Sequence, residues 1–279
     1  MIWILSILTL CSINASGLKT NFSTKESYDI LFGEDNTIHA TTHITNIIRN
    51  GTEDLTTSEI ENLEKLGISS QNGKISTCTP NDLDQVFESE HFRFHYTNEG
   101  TDAVSDPNYI FQMAEVFEEV YSFYIDTLNF SAPVSDPASD DILYDVFVEN
   151  LPTYYFGITY TKNTSVSSPA CVSYIKMRNN YDGSQFSEHT ELENVQVTAV
   201  HEFFHAIQFS YNCYERFWFM EATAVWSEDE LYNNVNDHYR YISSWFSNIN
   251  KSLDDESSHM YGSFIFFQYI DEHLGGPNT

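Results

Sequence analysis

His201-Glu202-Phe203-Phe204-His205 sets the tightest constraint on what this chain can fold into. On an α-helix, residues i and i+4 lie one above the other on one face. Two imidazoles can then aim at one point with the Glu202 carboxylate beside it, which is how a catalytic zinc site begins. Such a site needs a third protein ligand and an open position for water. Glu221, in Trp218-Phe219-Met220-Glu221-Ala222, is the candidate.

The flanks predict a pair of helices. Val197, Val200, Phe204 and Ile207 recur at helical spacing and make one apolar stripe, with the histidines partly off it and facing a cleft. A turn around Tyr211-Asn212-Cys213 lets a second helix, carrying Glu221, Ala222, Ala224, Val225 and Trp226, fold back beside the first. The five-residue motif also occurs by chance in helices that bind nothing. The downstream glutamate on its own apolar helix tips the balance toward one Zn2+ per chain.

Charge narrows the partners. Against 12 basic side chains stand 41 acidic ones, a formal net charge of -29, which repels nucleic-acid phosphates and anionic lipid heads. Met1 to about Gly17 reads as an export signal: a short apolar run, then Ile13-Asn14-Ala15 as a cleavage site. A secreted, extracellular protein is therefore expected. The run is too short to span a bilayer, and no other segment is a candidate span. Cys78, Cys171 and Cys213 remain after signal removal, an odd number that allows one disulfide and one free thiol, or no pairing.

Residues 18–85, dominated by Thr, Asn, Ser and charged side chains, read as a leader or propeptide; the alternative is a small domain packed permanently on the rest. One helix is expected there, with Ser58 and Glu61 as its capping box, Ile60, Leu63 and Leu66 as its stripe and Gly67 as its stop. Residues 86–279 read as the catalytic domain. It has a strand at Phe92–Tyr96 and a long helix from Asp106-Pro107 to Leu128. Further strands are expected at 144–148, 155–160 and 170–177. Asp136, Asp140 and Asp141 offer oxygen ligands to Ca2+, although a solvated loop is the plainer reading. The Gly275-Gly276-Pro277 turn after an apolar helix at 264–273 normally opens another element, so the chain is expected to continue beyond Thr279.

The motif with Glu221-Ala222-Thr223-Ala224 resembles the gluzincin branch of the zincin metallopeptidases. His91–Tyr96, Tyr155-Phe156-Gly157, Thr198–Gln208, Trp218–Trp226 and Tyr261-Gly262-Ser263 resemble, more narrowly, a poorly characterised family of exported prokaryotic metallopeptidase-like proteins. The resemblance covers about residue 86 to the end. It implies an α+β zincin-like fold, a twisted sheet packed on the motif helix with a mostly helical C-terminal part. It also implies zinc held by His201, His205 and Glu221, with Glu202 as general base. The interval from His205 to Glu221 is shorter than in the thermolysin-type pattern. Val225 stands where that pattern has an aspartate, and the residue that orients His205 is unassigned.

The function these readings predict is a secreted zinc-dependent endopeptidase acting on protein or peptide substrates. Glu202 takes a proton from water and passes it to the leaving amine. The oxyanion needs a second donor, for which Tyr261 is the first candidate, ahead of His259 and His238; a packing role is the competing reading for Tyr261. An extended substrate adds to a sheet edge, nominated as Ser173–Lys176, with an interior strand as the competing reading. Two other classes stay open: an exported zincin-like binding module without turnover, and a zinc hydrolase acting on non-peptide amides or esters. Oligomeric state is not legible.

Overall fold

The computed structural model describes residues 22–33, 39–71, 74–77, 82–139, 141–152, 154–162 and 169–275. The export signal, Cys78, Asp140 and the turn from Gly276 onward lie outside the described residues.

A five-stranded sheet positions everything else. Its strands are β3 (Gln85–Glu88), β4 (Phe92–Tyr96), β5 (Tyr144–Glu149), β6 (Gly157–Thr161) and β7 (Ser173–Arg178), in the order β3-β4-β5-β7-β6. The β4–β5 and β5–β7 pairs are parallel, while the two outer pairs are antiparallel. Together with the helices this is a mixed α/β protein, compatible with an α+β class. Strand alternation sorts side chains between two faces. Phe92, Phe94, Val146, Val148, Ile175 and Met177 face α4 (Pro107–Tyr121) and α5 (Glu191–Asn212).

The strand nominated as a substrate edge is not one. β7 lies between β5 and β6, and its six residues are all buried. Even Lys176, 3% exposed, is buried there in an ion pair with Glu149. The edge strands are β3 and β6, of which β6 lies against α5. Strand order is a non-local outcome that the run of apolar letters in 170–177 does not reveal.

Local chemistry sets the helix ends. Asp106 caps α4 by accepting from the Asn108 amide, with Pro107 in the first turn, as expected. A π-helical stretch, Ser122–Thr127, then extends the apolar face through Tyr124 to Leu128. Thr190 and Glu193 form a capping box at the start of α5. After α5 the chain turns at Cys213 and returns as α6 (Phe217–Tyr232), with Glu221 in its second turn. A Cys171–Cys213 disulfide ties that turn to the segment entering β7.

The N-terminal region holds more structure than the single helix expected. It contains α1 (Thr24–Phe32), α2 (Thr41–Asn50), α3 (Thr57–Glu64) and a hairpin of β1 (Ile68–Gln71) and β2 (Lys74–Thr77). Two overlapping S/T-x-x-E patterns compete at α3, and Thr56 with Glu59 forms the box rather than Ser58 with Glu61. Ile44, Ile47, Leu63, Ile68 and Ile75 share one apolar cluster with Phe147, Ile158, Tyr160 and Tyr174. The N-terminal region therefore covers the sheet face opposite α5.

Candidate metal centre

α5 and α6 lie side by side and bring three ligand atoms together. His201 Nε2 and His205 Nε2 are 3.1 Å apart. Glu221 Oε2 sits 3.3 Å from the first and 3.7 Å from the second. Atoms bound about 2.0–2.2 Å from one ion at tetrahedral angles stand roughly 3.3–3.6 Å apart, so this triangle has the size of one coordination sphere. All three residues are buried.

The outward nitrogens are fixed by acceptors. His201 Nδ1 meets Glu228 Oε1 at 2.7 Å, and His205 Nδ1 meets Gln208 Oε1 at 2.8 Å. Gln208 is oriented in turn, its Nε2 donating to the Met220 carbonyl and to Thr223 Oγ1. With Nδ1 of each ring turned to one of these oxygens, each Nε2 is the atom left to face the cluster. Glu221 Oε2, facing both, has no hydrogen-bond partner. Three electron-rich atoms at these separations require a cation among them, a proton or a metal ion.

The electrostatics say the same. Burial opposes charge on His201, yet Glu221 and Glu228 on either side push its pKa up to about 10. Burial also works against Glu221, but His205 and His201 hold its carboxyl well below the usual range. Burial pushes Glu228 up to about 7, with His201 opposing. Among the described residues, two buried groups could hold a metal ion: His201 with His205 and Glu221, and His39 with His201 and Glu202.

Glu202 lies next to the triad, with ligand atoms of His39, His201 and Glu202 all within 4.8 Å of one another. Its Oε2 accepts from Thr159 Oγ1 at 2.7 Å and from Thr41 Oγ1 at 2.8 Å. Strand β6 runs so close to α5 here that only glycine fits at 157. A Cβ there would meet Thr198 Cγ2 at 2.6 Å and Glu202 Cγ at 3.0 Å.

Sequence reasoning missed the residues arriving from the N-terminal region. His39 stacks on His201 with ring centroids 3.9 Å apart, and its Nε2 meets Tyr241 Oη at 2.7 Å. Thr42 Oγ1 donates to Glu221 Oε1 at 2.8 Å. No local pattern marks these residues. Glu228, by contrast, lies two helical turns beyond Glu221, a spacing that could have flagged it.

Of the oxyanion candidates, Tyr261 adjoins the cluster. Its ring centroid is 5.2 Å from that of His39, and its buried hydroxyl has no hydrogen-bond partner. His238 sits with Asp229 and Phe264, and His259 stacks on Trp245. The calcium reading loses two ligands to cations of the chain itself, because Asp136 pairs with Lys162 and Asp141 with Arg93. No described helix is long and apolar enough to cross a membrane.

Comparison with known proteins returned no matching family model, curated protein or solved structure.

Proposed function

We propose that this chain is a zinc-dependent endopeptidase with a zincin-like fold, exported by its N-terminal signal. The observation that carries the reading is the triangle of His201 Nε2, His205 Nε2 and Glu221 Oε2 with the Glu202 carboxylate beside it. The donor set of two imidazoles and a carboxylate is that of catalytic zinc sites with one position left open. An outer antiparallel strand alongside the motif helix supports the zincin-like assignment.

Zinc held by these three residues supplies a Lewis acid that lowers the pKa of water toward neutrality and polarises a carbonyl. The chain's own groups do the rest. α5 holds both rings in register, while Glu228 and Gln208 fix their tautomers. Glu202 takes a proton from the attacking water and hands it to the leaving amine as the C–N bond breaks. Tyr261 Oη donates to the oxyanion. The outer side of β6 receives an extended peptide.

One observation favours a second reading, a zincin-like module that binds a metal without turnover. Glu202 is 1% exposed and already engaged by two threonine hydroxyls. Metal analysis and casein hydrolysis separate the two, measured on the full chain before and after limited proteolysis. We expect one zinc per chain, hydrolysis after the cut, and a Glu202→Gln variant that keeps zinc and loses turnover. A metal-free protein, or equal hydrolysis by the variant, overturns the peptidase assignment.

A further inference from the structure

We infer that residues 39–50 are an intramolecular plug: they occupy the place of a peptide substrate and hold the enzyme latent. This rests on the peptidase reading above and names how that site is regulated.

Three consecutive contacts carry the inference. His39 lays its ring on His201 and brings a third imidazole to the donor set. Thr41 donates to the Glu202 carboxylate, the group the reaction needs as a base. Thr42 donates to the Glu221 carboxylate. Thr41 and Thr159 together occupy Oε2 of the base, one of the two oxygens through which it could take a proton.

The same residue blocks the substrate edge. The Thr159 amide points outward from β6, away from β7, and donates to Thr41 Oγ1 at 2.9 Å. A peptide adding to this edge depends on such backbone amides. Thr41 therefore takes the hydrogen bond that the Thr159 amide would give a substrate strand, and gives one to the base. His39, Thr41 and Thr42 are 6%, 0% and 0% exposed, so all three are packed against the cluster away from solvent.

The anchor is apolar. Ile44 and Ile47, one turn further along α2, are fully buried in the cluster formed with Ile158 and Tyr160. α2 ends at an exposed turn, Glu53-Asp54, on the surface of the protein. Plug and peptide exclude each other, so hydrolysis requires α2 to leave β6.

The test uses the full chain loaded with Co2+, read by its visible spectrum with a peptide hydroxamate, and loaded with Zn2+, read by casein hydrolysis. Ile44→Asp places a charge against β6 and undocks α2 without touching a ligand or the base. The expected result is a spectrum that responds to hydroxamate only in the variant, and hydrolysis at least tenfold above the unaltered chain. Metal stoichiometry and far-ultraviolet circular dichroism certify that the variant is folded. Where either is lost, a sequence-specific protease site at Glu53-Asp54 replaces it, and activity of the cut chain is expected to rise on dilution. Hydroxamate access without hydrolysis upholds the plug and removes the peptidase reading. Equal hydrolysis and equal access in the unaltered, undocked and cut chains overturn the plug and leave the peptidase reading standing.

Discussion

Glu228 holds Nδ1 of His201 at 2.7 Å from a point two helical turns beyond Glu221, so one face of α6 supplies both a carboxylate of the candidate metal cluster and the partner that orients one of its imidazoles. Removing such an acceptor typically weakens a metal site about 10–100-fold. Glu228→Ala is expected to lose metal affinity in that range, with Gln208→Ala behaving alike through His205. Competition against a chromogenic chelator measures both; wild-type affinity in either variant excludes that residue from the site.

Gly157 is fixed by space rather than by backbone conformation. Gly157→Ala drives a methyl into Thr198 and Glu202, and overpacking of this kind costs about 1–3 kcal/mol. For a chain of this size each kcal/mol lowers Tm by roughly 2–4 °C. Scanning calorimetry should find a drop of that order. An unchanged melting curve means that β6 and α5 are not in contact there.

The Cys171–Cys213 bond spans a sequence separation of 42. By the chain-entropy relation, closing such a loop in the unfolded state is worth about 4 kcal/mol. The double variant Cys171→Ser/Cys213→Ser should melt lower by the corresponding amount, and reductant should lower the native protein's Tm similarly while leaving the variant's alone. A native Tm insensitive to reductant contradicts the pairing.

Burial, and then the neighbouring Asp271, push Glu230 up to about 8. A carboxyl raised above its unfolded value binds more protons in the native state. Its contribution is therefore complete below the unfolded pKa of roughly 4.3 and is lost as pH rises through 8. Glu230 is only partly buried, so solvent screening reduces the effect to about 1–2 kcal/mol. Glu230→Gln should gain that much stability near pH 8 and almost none near pH 4. Chemical denaturation at the two pH values checks it; a gain of equal size at both refutes the raised pKa.

Much of the chain from residue 86 onward was legible because its signals are local. The Asp106-Pro107 cap, the alternation of Phe92–Tyr96 and the apolar stripe of α5 each depend on neighbours within a few residues. The N-terminal region was not. α2 reads Thr-Thr-His-Ile-Thr-Asn-Ile-Ile-Arg-Asn, rich in β-branched residues and without a side-chain cap. Its helicity comes from packing Ile44 and Ile47 beneath the sheet, not from propensity. At α3, two capping patterns two residues apart were indistinguishable until packing selected one.

The sequence by itself determined the pair of imidazoles: histidines one turn apart on one helix lie on the same face. Only the tertiary structure decided what lies over them. Thr41 reaches Glu202 across a separation of 161 residues, and Thr42 reaches Glu221 across 179. β6 rather than β7 became the edge strand beside α5 because β7 was taken inside the sheet. Contacts so distant along the chain have no periodicity to betray them, since they form only when separate elements bury their apolar faces against each other.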